Sequence, residues 1–429
     1  MIQKTTVNSV KQSINTKADM FAYIDKIYER HLKIENENQT LLPEDNLKQR
    51  LYKEVEELFE KYPNSLNRPP LFGIFLGVKD IFKTDGFPTK AGSGLPAELF
   101  EGKEASSVTK LKEAGAIIYG KTTTTEFAYS DPSSTKNPHN LLHTPGGSSS
   151  GSAALVALGQ VPVALGTQTI GSIIRPATYC GIVGYKPSFD RIDKDGVIPF
   201  ASSVDHIGCF SQDIKGSELV ASILCENWKP NNQSIDKIKI AIPVGNYMKN
   251  ANSEVITKFN ELINFLKKNN VEFEEANILP DFEKIKKQHW DICYAEPAEV
   301  HKNWYKEYKN LYRKHMHHLL ETGQNISQKD LEEGKKGREV FRNEVQQIMD
   351  KNNFDLIIAP SSTDFAPKGL ESTGNSIMNL PWTFAGMPAI NIPFGKNENN
   401  LPFGFQIIGR FMQDEKLFNF AQKIFNIIN

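Results

Sequence analysis

The chain has 429 residues, 39% of them hydrophobic, and a formal net charge of −1. A chain of this length can bury a large core, and a charge this small, with Lys and Asn scattered, excludes a strong field for nucleic acid or an anionic membrane. No window of 18 consecutive apolar residues is present, which excludes a helical span, and MIQKTTVNSVKQS lacks the apolar centre of a secretory signal, so a cytoplasmic location is expected.

In chain order, residues 9 to 62 read as helical. Ile24, Ile27 and Tyr28 fall at i, i+3, i+4 spacing, and Leu47, Leu51, Val55 and Leu58 follow at steps of four, four and three. Tyr62-Pro63 ends that run. LFGIFLGVKDIF (71–82) then reads as an apolar strand, and AGAIIYGKT (114–122) as a second one after the helical SSVTKLKEAG. SAALVALGQVPVALGTQT (152–169) predicts an apolar helix, a turn at Gly159 and a buried strand, and GIVGYKPS (181–188) continues the pattern. IKIAIPVG (238–245), VEFEEANIL (271–279), FDLIIAPSS (354–362) and PAINIPFG (388–395) predict further strands, with a helix through Val255, Phe259, Leu262, Ile263 and Leu266. Residues 281–350 are charged and aromatic with little strand signal, a helical excursion, and the tail from Glu415 is an amphipathic helix. The alternation predicts an α/β fold with a mixed, largely parallel central sheet covered by helices on both faces. No linker divides the chain, so a single domain over 1–429 is expected: helices over 1–62, a core over 63–215 and the excursion over 281–350.

The four cysteines, Cys180, Cys209, Cys225 and Cys293, are widely spaced and form no CxxC or metal pattern. They read as reduced thiols, and no metal or organic cofactor is expected.

Chemistry concentrates in TPGGSSSGSAA (144–154). A flexible linker would be flanked by polar sequence, whereas this stretch runs into the apolar SAALVAL. A P-loop needs a Lys that neither Gly146 nor Gly147 has at the right distance, although a glycine-rich helix start still binds anions. The catalytic reading draws on a second cluster, GTQTIGSIIRPATYCGIVGYKP (166–187), where Ser172 sits in a Gly171-Ser172 turn, 24 residues after Ser148. A hydroxyl nucleophile needs a base and facing N–H groups. His139, His143 and His206 lie near these motifs without a triad pattern. Lys79 is the outstanding alternative, an ammonium inside an apolar run that burial would drive neutral. The bland reading pairs it with Asp80.

GVKD (77–80), GGSSSGSAA (146–154) and GTQTIGSIIRPA (166–177), with NLPWTFAGMPAINIPFG (379–395) and LPFGFQIIG (401–409), resemble the amidase signature family. The likeness runs from about residue 10 to the C-terminus. It implies Ser172 as the nucleophile and Ser148, after a cis peptide bond, as the bridging serine that relays protons to the base Lys79. It also implies an oxyanion hole of the N–H groups of Thr169, Ile170, Gly171 and Ser172. The expected activity is hydrolysis of a small to medium acyl or aryl amide through an acyl-enzyme. The alternatives are ester or carbamate hydrolysis, an amidotransferase A-type subunit, and a dead binding scaffold. A small-molecule amide is the expected partner, with a homodimer possible and no nucleic acid or membrane. Candidate substrate contacts are Gly147, Ser149, Trp290, Tyr294 and Trp382, the excursion lying near the substrate entrance. For Ser149, Ser150 and Ser152 the alternative is structural hydrogen bonding or helix capping. The same alternative, packing onto the core, stands for Trp290, Tyr294, Trp304, Tyr305, Tyr308 and Tyr312.

The sequence departs from the family form GSDTGGSIRQPA at several places. Thr167 and Gln168 replace Ser and Asp, Ile170 replaces a glycine, and the arginine is one place later, at Arg175. Ser150 also replaces a glycine. Ile170 is expected to narrow the pocket, and Gln168 removes a charge from around the site.

Overall fold

The computed structural model describes residues 2–231, 233–235 and 237–429. Three helices lead: α1 (Val7–Ser13), α2 (Lys17–Asn38) and α3 (Leu47–Lys61). Thr6 and Thr16 start the first two with reciprocal capping boxes. Ile24 and Ile27 of α2, and Leu47, Leu51 and Val55 of α3, are buried, so the apolar stripe read from the sequence is the face turned to the core.

Among the described residues, ten strands form one sheet. They are β1 (Phe75–Lys79), β2 (Ile117–Thr122), β3 (Val163–Gln168), β4 (Val183–Lys186), β5 (His206–Ser211), β6 (Lys239–Pro243), β7 (Glu272–Ala276), β8 (Leu356–Pro360), β9 (Ala389–Lys396) and β10 (Pro402–Ile408). The order across the sheet is β2-β1-β3-β5-β4-β9-β10-β8-β6-β7. Every residue of β1, β2, β3, β4 and β5 is buried. Successive side chains point to opposite faces, so both faces there are covered.

The sheet is mixed, and the parallel pairing expected from the alternation is confined to its flanks. β2, β1 and β3 run parallel, as do β8, β6 and β7, while every pairing from β3 through β8 is antiparallel. The reason lies in the connections. Parallel neighbours need a crossover, which α4 (Ser106–Glu113) supplies between β1 and β2. β9 and β10 are joined by a short loop and form a hairpin.

α5 (Ser150–Ala157) packs on β1 and β3 and against α6 (Ile174–Cys180), which lies on β4, β9 and β10. α7 (Ile214–Leu224) packs on β5, and α8 (Ser253–Lys268) crosses from β6 to β7. The excursion is helical: α9 (Phe282–Val300), α10 (Lys302–Tyr308), α11 (Lys314–Gly323) and α12 (Gln328–Asn352). α13 (Leu380–Phe384) packs on α9, and α14 (Asp414–Ile428) closes the chain against α7 and β9. α6, β5 and α7 fall where the sequence gives no clear period. β5, HIGCFS, mixes polar, glycine and apolar residues because both its faces lie inside the sheet's covering layers.

Candidate active site

Lys79 is the last residue of β1, the strand between β2 and β3, and it is fully buried. Its Nζ lies 2.7 Å from Ser148 Oγ and 2.7 Å from Thr167 Oγ1. Burial pushes its pKa well below the ordinary lysine value, against the smaller opposing pull of the Asp205 carboxylate. A neutral amine in this place donates to one hydroxyl and can accept from another. Asp80 is not its partner. Asp80 forms a buried ion pair with Lys121 at 2.9 Å, which leaves Lys79 with hydroxyls alone. Asp80 follows the end of β1 and turns to Lys121 of β2, so the sequence neighbour does not share the pocket of Lys79.

Ser148 stands before α5, and the Gly147–Ser148 bond is cis. Arg175 holds the carbonyl of that bond. Its buried guanidinium donates to Gly147 O at 2.7 Å, to Gly374 O at 2.8 Å and to Thr373 Oγ1 at 3.1 Å. Two of the neighbouring serines fasten the loop to β3, and the third braces it internally. Ser149 Oγ donates to Thr167 O, Ser150 Oγ to Gly146 O and Ser152 Oγ to Leu165 O.

The loop after β3 carries Thr169, Ile170, Gly171 and Ser172 ahead of α6. Gln168 sets its shape. Its Oε1 accepts from the amides of Ile173 and Ile174, at 2.8 and 2.9 Å, and its Nε2 donates to Thr383 Oγ1. Thr383 Oγ1 in turn donates to Ile170 O at 2.7 Å. An aspartate could accept the two amides, but only the amide side chain also donates to Thr383. The charge lost at residue 168 is thus replaced by a neutral brace. Thr169 is fixed from below, its hydroxyl donating to the buried Asp205 carboxylate at 2.5 Å. Gly171 admits no side chain, since a Cβ there would stand 2.3 Å from Asn379 Oδ1.

Ser172 is 9% exposed, and its hydroxyl makes no hydrogen bond with the described residues. It opens onto a cleft of about 460 Å³ lined also by Ile170, Tyr129, Phe200, Trp290 and Asp364. Among the described residues, no group of three His, Cys, Asp or Glu side chains is placed to hold a metal ion. No described helix is long and apolar enough to cross a membrane.

A profile of the Amidase family matches residues 22–418. The chain belongs to the amidase family. Among curated relatives, the A-type subunit of the Glutamyl-tRNA(Gln) amidotransferase of Halothermothrix orenii is 30% identical over 416 residues, 85% of this chain and 87% of the relative. Its counterpart in Lysinibacillus sphaericus is 30% identical over 449 residues, 92% and 90% of the two chains. A solved structure described as an amidase superposes with a TM-score of 0.87 at 27% identity, covering 96% of each chain. The corresponding Glutamyl-tRNA(Gln) amidotransferase chain of Thermotoga maritima gives 0.78 at 26% identity, covering 99% of this chain and 96% of the other. The amidase is an amide-hydrolysing enzyme with the family's mixed α/β fold.

Not every candidate contact reaches the cleft of this amidase. Trp290 lines it. Tyr294 packs against Trp290, ring centroids 5.5 Å apart, outside the cleft lining. Trp382 is fully buried in α13, its indole N–H donating to Tyr247 Oη, and is not among the residues that line the cleft. Ser149 and Gly147 are also buried and are not among the residues that line the cleft, although Gly147 lies against the lining residues Thr373 and Arg175. Ser149 is held by Thr167, and a Cβ at residue 147 would meet Thr373 Cγ2 at 2.8 Å. Trp304, Tyr305 and Tyr312 pack the excursion onto Phe100, Phe127, His301 and one another. Three contributors escaped the sequence reading: Asp205 behind Thr169, Thr383 behind Ile170, and Asp364 in the cleft. Thr383 lies in the 379–395 motif without a pattern that marks its partner, and Asp205 and Asp364 lie in none of the motifs. Their neighbours in space come from loops that sequence spacing does not join.

Proposed function

We propose that this amidase cleaves a small to medium acyl or aryl carboxamide to an acid and ammonia or an amine. The observation that carries the reading is the buried lysine on Ser148: Lys79 Nζ, 2.7 Å from Ser148 Oγ, in a setting that favours the neutral amine. In this reading Lys79 takes the Ser148 proton while Ser148 takes that of Ser172. Ser172 Oγ attacks the carbonyl carbon, and the N–H groups of residues 169–172 receive the oxyanion. These amides are not spent on the brace, which engages residues 173 and 174. The relay returns its proton to the leaving nitrogen, the C–N bond breaks, and water releases the acid from the Ser172 ester.

A serine-directed fluorophosphonate tests this. A single adduct mapped to Ser172, absent in Ser172→Ala, is the expected result. No adduct, or one elsewhere, would overturn the reading and favour a binding scaffold. A second reading, transfer of the released ammonia within an assembly, is favoured by the relatives that are named as amidotransferase subunits. Co-purification of a companion chain would support it. A panel of matched esters, carbamates and amides separates ester or carbamate hydrolysis from amide hydrolysis by the same serine.

Trp290 supports an apolar or aromatic acyl group, since its ring forms part of the cleft wall. Trp290→Ala is expected to lower kcat/KM for aryl amides by about tenfold relative to acetamide. An unchanged ratio would remove Trp290 from substrate choice.

A further inference from the structure

The cleft holds one carboxylate, Asp364, that forms no ion pair with a described residue. Asp364 lies in the loop after β8, half-buried, and lines the same cavity as Ser172. Its Oδ1 accepts from Tyr179 Oη at 2.8 Å. No cation among the described residues pairs with it. Arg175 senses its charge, but that guanidinium is buried and donates to Gly147 O, Gly374 O and Thr373 Oγ1 instead. Tyr179 engages one oxygen and leaves acceptor capacity on a half-buried carboxylate that faces the cleft, so the group is placed to meet a charged donor that arrives from outside.

The walls fit the same kind of visitor. Tyr129 and Phe200 stack with centroids 5.5 Å apart and line the cleft with Trp290. Aromatic faces attract an organic cation as well as an apolar chain. The hydroxyls of Ser130, Ser372 and Ser376 complete a rim with no basic side chain other than Arg175. A volume of about 460 Å³ suits a substrate of modest size.

We infer that Asp364 is a specificity-determining residue and that the substrate is an amide carrying a protonated amine, whose ammonium the Asp364 carboxylate receives beside the aromatic wall. This rests on the amide hydrolysis at Ser172 proposed above and narrows its substrate class.

The test uses pairs matched in length, 4-aminobutanamide against pentanamide and 5-aminopentanamide against hexanamide. Turnover is measured in the wild type and in Asp364→Asn. Equilibrium binding is measured in Ser172→Ala, with and without Asp364→Asn. Asparagine keeps the acceptor for Tyr179 and removes only the charge. A charge-assisted contact predicts that the cationic member is preferred by roughly ten- to a hundredfold, and that the ratio collapses in Asp364→Asn. Equal use and equal binding of each pair by the protein with Asp364 intact would overturn the inference whatever the variant does, as would a preference that survives Asp364→Asn. The two readings fail separately. A cation preference in binding without fluorophosphonate labelling of Ser172 would sink the hydrolytic mechanism alone. Labelling without any preference would sink the role of Asp364 alone.

Discussion

Ser172→Ala is expected to lower kcat/KM for any amide substrate by about a millionfold, the scale seen when a serine nucleophile is removed from an otherwise intact relay. The fold has little reason to suffer. The Ser172 hydroxyl makes no hydrogen bond with the described residues and opens onto the cleft. The loop around it is held by Gln168, Thr383 and Asp205 through atoms of other residues. Circular dichroism and melting should therefore match the wild type while turnover vanishes and substrate binding persists. A variant that retains more than about a thousandth of the activity would show that Ser172 is not the attacking group.

Lys79→Ala is the second large effect. General-base assistance contributes about 10²- to 10⁴-fold, and that is the expected loss in acylation at neutral pH. The pH dependence carries the sharper signature. The base works deprotonated, and burial lowers its pKa, so wild-type kcat/KM should climb as pH rises through that lowered pKa and level off below the ordinary lysine value of about 10.4. The variant should lack this limb and lose less at high pH, where hydroxide helps. Stability follows the same sign. Between the lowered native pKa and about 10.4 the unfolded chain binds the proton that the native chain refuses, so wild-type stability rises with pH across that window. Lys79→Ala should flatten this part of the slope. Full activity in the variant, or an unchanged pH profile, would remove Lys79 from the reaction.

The contact between residues 79 and 148 is what the family resemblance implies, whereas the residues alone mark Lys79 as an ammonium in an apolar run and leave Asp80 open as its partner. β1, β2, β3, β6, β8 and β9 are legible as apolar runs and β7 by its alternation, whereas β5 and β10 carry no such signal. What escapes is whatever depends on distant loops. The ion pair of Asp80 with Lys121 crosses from β1 to the neighbouring β2, so adjacency to Lys79 misleads. The antiparallel centre of the sheet depends on where β9 and β10 dock, which no local period encodes. Trp382 falls within a motif and looks available, yet Tyr247, 135 residues earlier, satisfies its indole. Gln168 looks like a loss of charge until its partner Thr383 is known.

That brace has a consequence for how the molecule comes into being. Gln168 meets Thr383 across 215 residues of sequence, and Arg175 meets Gly374 across 199. Contacts of such separation close late, because the loop entropy must be overcome before they form. A chain extending only as far as α7 would contain Lys79, Ser148 and Ser172, with Gln168 and Asp205, but not Thr383 or Gly374, which complete the bracing of the two loops. The bracing of the Ser172 loop and of the Gly147 carbonyl is thus complete only when the last part of the polypeptide has folded back onto the first.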